Sequence, residues 1–187
     1  VPPLEYQGRS ELGPYGDFCV QVDESVWQVL EALERIGAAE NTLIVFAADN
    51  GCAPYIGVED LNAQGHCPSY IYRGYKSDIF EGGHRIPWLV RWPRRISAGS
   101  SSDEIVCLTD LLATCASIVG VDFSQDAGEG SYDILPALLG EPLDEPIREA
   151  TVYQAGDGSF SIRQDRWKLE NTPSSGGYGN LSDAEVR

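Results

Sequence analysis

Apolar residues first fall into a helical rhythm. Phe18, Val22, Val26, Leu30 and Leu33 follow one another in steps of four, four, four and three, which lines them up on one stripe of a helix. The spacing predicts a helix over 15–36, with Gly37 placed as its left-handed stop. The rhythm then changes. Thr42-Leu43-Ile44-Val45-Phe46-Ala47-Ala48 is a near-continuous apolar run with β-branched members, as suits a central strand covered on both faces. Helix followed by buried strand is the grammar of an α/β sheet. Upstream, residues 1–14 are rich in Pro and Gly and aperiodic, and read as an extended lead-in.

Residues 52–86 show no long element but are rich in Gly and aromatics, with Tyr55, Tyr70, Tyr72, Tyr75 and both His residues of the chain. A loop of that length in a compact domain is functional or disordered, and its aromatics argue for the former. Residues 87–92 predict a strand stopped by Pro93, and 96–104 a polar loop. Thr109 is placed to cap a helix through Val119, with Leu111, Leu112, Cys115 and Ile118 or Val119 inward and Gly120 as its stop. A short helix is expected at Ile134–Leu139, closed by Gly140. Beyond Pro146, three short strands (151–153, 160–163 and 167–169) alternate with Gly- and Asp-containing turns, which is antiparallel meander grammar. This places a subdomain boundary near residue 147 and a loose end over 171–187.

Charge narrows the partners. The chain has 29 acidic against 13 basic residues, a formal net charge of −16. Affinity for nucleic-acid backbones comes mostly from Lys and Arg, so the charge argues against nucleic acid as a partner, and equally against an anionic membrane surface. No apolar run approaches the ~20 residues of a membrane span. There is no Met in the 187 residues, which predicts a segment of a longer chain. Five Cys with no C-x-x-C pair indicate neither a zinc site nor a disulfide framework. Cys19, Cys107 and Cys115 are expected as buried inert thiols; Cys52 and Cys67 flank loops and stand open as a possible pair.

The predicted strand ends at Asp49-Asn50-Gly51. Ligands of open α/β sheets bind at the carboxyl ends of strands, so a carboxylate and an amide there are placed for chemistry; an ordinary Asn-Gly turn is the other reading. Downstream stands Gly74-Tyr75-Lys76-Ser77-Asp78-Ile79-Phe80-Glu81-Gly82-Gly83-His84-Arg85-Ile86-Pro87. A strand ending in Asp-Asn-Gly, then Gly-x-Lys, Glu-Gly-Gly five residues after the Lys, x-Arg-x-Pro and a Trp-Pro strand end together resemble the second half of a sulfatase catalytic domain. The resemblance is to the formylglycine-dependent arylsulfatase type of the alkaline phosphatase superfamily. It extends to Pro14–Glu24, to Thr109–Thr114 and to Ile134-Leu135-Pro136, and so covers most of the chain.

The resemblance implies an α/β fold: part of an alkaline-phosphatase-like mixed sheet flanked by helices, in which 1–147 is the C-terminal half of the catalytic domain and 148–187 begins a small antiparallel C-terminal subdomain. It implies hydrolysis of sulfate esters, aryl or sugar, with calcium. Asp49 and Asn50 match a pair of calcium ligands, and calcium favours such hard oxygen donors. Lys76 matches the lysine that contacts the substrate sulfate, where an ammonium offers a compact cation with three donors. Glu81 is expected to shape the loop, with Arg85 pairing Glu81 or Asp78; His66 and His84 remain open between lining the pocket and hydrogen-bonding the loop.

The family's nucleophile is made from a Cys or Ser in Cys-x-Pro-x-Arg. Cys67-Pro68-Ser69-Tyr70 lacks the spacer and the Arg and follows the metal pair, so Cys67 is rejected. The nucleophile is expected upstream of Val1, and the segment alone is expected to be inactive. A phosphate or phosphonate ester hydrolase of the same superfamily, or a non-catalytic relative that binds sulfated glycans, are the alternatives. The resemblance further implies a periplasmic, secreted or lysosomal setting. It leaves the particular ester and the oligomeric state open.

Overall fold

The computed structural model describes residues 2–179 apart from 123. Its first long element is helix α1, Gly13–Arg35. Pro14 sits in the first turn, where its missing N–H costs nothing. Gly37, at φ +71°, ends the helix as expected, with Ala38 N–H donating back to Leu33 O at 2.9 Å. The lead-in is tied down: Gly8 and Ser10 N–H both donate to the Asp17 carboxylate at 2.8 Å.

Strand β1, Ile44–Ala47, pairs antiparallel with β2, Trp88–Arg91. The register sets Ile44 opposite Arg91, Phe46 opposite Leu89 and Ala47 opposite Trp88. Among the described residues β1 has this one partner, and all four of its residues are half-buried. An apolar run shows that a strand favours covered faces but does not say which strands flank it. One face of the pair looks across an open apolar groove of about 540 Å³ toward Phe18, Val22, Val26 and Leu30 of α1.

The excursion between β1 and β2 holds two short helices, α2 (Val58–Ala63) and α3 (Glu81–His84). Helix α4 is Asp110–Val119 and α5 is Leu135–Leu139, each ended by a left-handed glycine, Gly120 and Gly140. Two expectations for α4 are revised. Thr109 makes no side-chain cap; Asp110 accepts from Cys107 N–H at 2.7 Å instead. The buried face is Asp110, Ala113 and Thr114, while Leu112, Cys115 and Val119 are exposed. The reason is the Asp110–Arg148 ion pair, buried on both sides. Arg148 also donates to Gly130 O at 3.1 Å and stacks on the Tyr132 ring. A paired, hydrogen-bonded charge fixes which side of α4 turns inward.

The meander appears as read: β3 (Thr151–Gln154), β4 (Phe160–Gln164) and β5 (Trp167–Glu170) form one antiparallel sheet. In β5 the apolar residues face out, with Trp167 and Leu169 about 70% exposed, while Lys168 and Glu170 are half-buried. The buried hydrophobic cluster lies between this sheet and the long excursion: Ile79 and Phe80 pack with Ala155, and Tyr153 covers them. No helix among the described residues is long and apolar enough to cross a membrane.

Candidate active site

The Asp49-Asn50-Gly51 turn and the Gly74–Pro87 loop meet backbone to backbone at the carboxyl end of β1. Gly51 N–H donates to Gly83 O at 3.0 Å, and Lys76 N–H donates to Cys52 O at 2.8 Å. Glycine is required on both sides. A Cβ on Gly51 would stand 1.7 Å from Gly82 O, one on Gly82 2.1 Å from Gly74 O, and one on Gly83 2.2 Å from Asp78 O. The Gly-Gly pair is therefore a packing device: it lets three strands of loop backbone close on each other without side chains between.

Lys76 leads into a strained residue. Ser77 has φ +71°, a left-handed conformation that costs a non-glycine residue roughly 1–3 kcal/mol and persists only when its surroundings over-determine it. They do. Ser77 O accepts from Gly156 N–H at 2.9 Å, and Ile79 N–H donates to Ser175 O at 2.7 Å. Asp78 is fully buried; its carboxylate accepts from Tyr75 N–H at 2.7 Å and from Gly179 N–H at 2.8 Å. This corrects the expected loose end over 171–187. Ser175 is buried, and a Cβ on Gly177 would stand 2.4 Å from the Ser77 carbonyl carbon. Residues 175–179 are packed against the Lys76 loop; a Gly- and Ser-rich composition signals close backbone approach as readily as looseness. Residues 180–187 lie outside the described residues.

Glu81 ties the loop to the C-terminal sheet, through side-chain partners the sequence did not reveal. Its Oε1 lies 2.7 Å from Arg163 Nη2 of β4 and 3.2 Å from Lys168 Nζ of β5. The expected partner Arg85 is farther, at 3.5 Å, and more exposed. Burial pushes the Glu81 carboxyl up, but the two cations outweigh it and hold it below its ordinary value. Lys168 is drawn down by burial despite Glu81, and it also donates to Ile79 O. His84 stacks on Tyr153 with ring centroids 4.8 Å apart; burial and nearby Lys168 lower its pKa and favour the neutral imidazole. His66 lies against Tyr15, centroids 5.5 Å apart. The reversed alternation of β5 was the available signal for Lys168.

A cleft of about 580 Å³ opens beside the joint, lined by Asn50, Gly51, Cys52, Tyr70, Tyr72 and Arg85 among others. Asn50 is half-buried, Asp49 is exposed and Lys76 is half-buried; Asp49 and Lys76 are not in the lining of this cleft. The backbone thus brings Lys76 to the Asp-Asn-Gly edge, and Asn50 is the one of the three that faces the cleft. Among the described residues no three His, Cys, Asp or Glu side chains cluster as a metal site. Calcium takes about six to eight oxygen ligands, so the Asp49 carboxylate and Asn50 carbonyl fit part of a calcium site. All five Cys are free. Cys19 and Cys115 are exposed and Cys107 half-buried beside Thr151 Oγ1, in contrast to the expected burial, because the apolar sides of α1 and α4 on which two of them lie are open.

The family is shown by comparison. The model of the sulfatase family matches residues 2–121, and the chain belongs to that family. The N-acetylgalactosamine-6-O-sulfatase of Bacteroides thetaiotaomicron is 32% identical over 90% of the chain and 33% of its own length. The steryl-sulfatase of Rattus norvegicus is 39% identical over 73% of the chain and 23% of its own length. A solved sulfatase structure from Bacteroides thetaiotaomicron, described with the metabolism of multiple glycosaminoglycans, superposes with a TM-score of 0.80 at 32% identity, over 90% of this chain and 35% of that one. The fold is accordingly alkaline-phosphatase-like α/β. The chain spans a third or less of the length of these curated relatives.

Proposed function

We propose that the protein containing this chain hydrolyses sulfate esters, aryl or sugar, and that this chain supplies one edge of the reaction site. The observation that carries the reading is the joint between the Asp-Asn-Gly turn and the lysine loop, bonded at Gly51–Gly83 and Cys52–Lys76 within a chain of the sulfatase family. In this reading Asp49 and Asn50 give two oxygen ligands to calcium, and Lys76 gives its ammonium to the substrate sulfate. Calcium, when bound, neutralises charge on the sulfate and polarises its oxygens. The remaining ligands and a formylglycine nucleophile belong to the rest of the protein, and the isolated chain turns over no sulfate ester. Residues 1–147 act as the C-terminal half of the catalytic domain and 148–187 as the start of a small subdomain. A 6-sulfated N-acetylhexosamine is the first substrate to try, by likeness to the Bacteroides relative. A periplasmic, secreted or lysosomal compartment fits the same reading.

The test is sulfate release by the full-length protein and its Lys76→Ala and Asp49→Ala variants, from a chromogenic aryl sulfate and a sulfated sugar. Lys76→Ala is expected to lose roughly 10²–10³ in kcat/KM, the scale of one lost donor at a charge-stabilising site. Asp49→Ala is expected to weaken calcium binding by calorimetry and to recover partly as calcium is raised, since a weak site fills by mass action. Wild-type kcat/KM in Lys76→Ala, or unchanged calcium affinity in Asp49→Ala, sinks the assignment.

A further inference from the structure

Lys76 is held from two sides. On one side its own amide is fixed to Cys52 O. On the other, Ser77 and Asp78 are gripped by backbone that arrives from far along the chain: Gly156 N–H on Ser77 O, Ser175 O on Ile79 N–H, and Gly179 N–H on Asp78 Oδ1. Gly177 lies flat on the Ser77 peptide, where a Cβ would stand 2.4 Å from both C and O. The same segment reaches the other arm of the excursion, with Tyr178 edge-on to Tyr55 at 6.3 Å. The left-handed Ser77 is what this grip maintains, because an unsupported serine relaxes to ordinary φ and would swing the adjacent Lys76.

We propose that residues 175–179, with Gly156, are a positioning element for Lys76: the C-terminal segment clamps the Ser77–Asp78 backbone and so aims the lysine at the substrate anion. None of these residues touches the reacting atoms in this assignment; they act through Lys76. The proposal rests on the sulfate-contact role of Lys76 given above and adds what holds that residue in place. It also gives the small antiparallel sheet a task in the reaction, since Gly156 follows β3 and residues 175–179 follow β5.

The experiment is a double-mutant cycle in the full-length protein, read as kcat and KM for a chromogenic aryl sulfate, with melting temperature and calcium affinity measured in parallel. Gly177→Ala places a methyl group on the Ser77 peptide. It is expected to lose roughly 10²-fold in kcat/KM, the cost of a misplacement near 1 Å, with calcium affinity unchanged. Combined with Lys76→Ala it is expected to add little, because two changes acting through one group are not additive. If Gly177→Ala does not fold, Gly156→Ala presses the same residue more gently, its Cβ 3.1 Å from Ser77 Cβ, and must show the same non-additive loss on a smaller scale. A full additional loss in the Lys76→Ala background, or wild-type kcat/KM in a folded Gly177→Ala, overturns the clamp alone. Wild-type activity in Lys76→Ala overturns the clamp and the site reading together.

Discussion

Glu81→Gln separates electrostatics from shape at the junction of loop and sheet. The substitution keeps size and one acceptor oxygen but removes the charge that Arg163 and Lys168 share. Those cations stand 2.7 and 3.2 Å from Oε1, and the three side chains are between 9% and 23% exposed. Hydrogen bonds to charged groups contribute roughly 1.5–3 kcal/mol each, and the glutamine oxygen retains part of one, so a loss of about 2 kcal/mol follows. That is about a thirty-fold change in the folding equilibrium. The pH dependence has a definite sign. Glu81 is held below its ordinary 4.5, so its contribution is fully present above that value and disappears as pH falls through the depressed folded value. Urea unfolding followed by Trp fluorescence, at a series of pH values, reads the difference between wild type and Glu81→Gln. The difference is expected to be flat from roughly pH 5 to 8 and to close in acid below the ordinary carboxylate range. Equal stability at pH 7, or a gap that persists unchanged well into acid, refutes the charge-network account and leaves Glu81 a shape-filling residue.

Removing one member of the buried Asp110–Arg148 pair strands the other; Arg148→Met is expected to cost about 3–5 kcal/mol by urea unfolding, and a loss under 1 kcal/mol contradicts the assigned role. Iodoacetamide labelling near neutral pH, mapped by mass spectrometry, is expected to modify exposed Cys19, Cys67 and Cys115 before Cys52, whose thiol is pushed up by burial and then by Cys19; Cys52 reacting first, or a Cys52–Cys67 disulfide, overturns this order.

The elements with a strong local period were legible: α1, α5 and the three C-terminal strands stand within a few residues of their expected bounds, as do the left-handed stops Gly37, Gly120 and Gly140. Local signals failed where long-range partners decide. Nothing in the run Thr42–Ala48 says that β2 is its neighbour. Apolar spacing alone does not give the inward side of α4, because a buried ion pair with Arg148 determines the choice. At the candidate site the motif residues were visible, but their supports were not. Arg163 and Lys168 lie more than eighty positions from Glu81 and are carried there by strand pairing. The 175–179 segment carries no period at all, and its Gly- and Ser-rich composition does not distinguish looseness from the close backbone contact its glycines make.

The β1–β2 ladder also bears on how descendants of this sequence can diverge. Residues 48–87 leave and rejoin the fold at one rung, Ala47 opposite Trp88. Lengthening a loop whose ends are already pinned is inexpensive, about 0.6 kcal/mol per doubling. The stretch 53–72, with exposed Tyr55, Tyr70 and Ile71, can therefore be extended, trimmed or rewritten while the rung stays put. Residues 74–83 have no such latitude, since their glycines leave no room for a methyl group. Selection for a new ester meets a malleable segment and a frozen one within a single excursion, and lineages that change substrate should accumulate insertions in the first while the second stays constant in length.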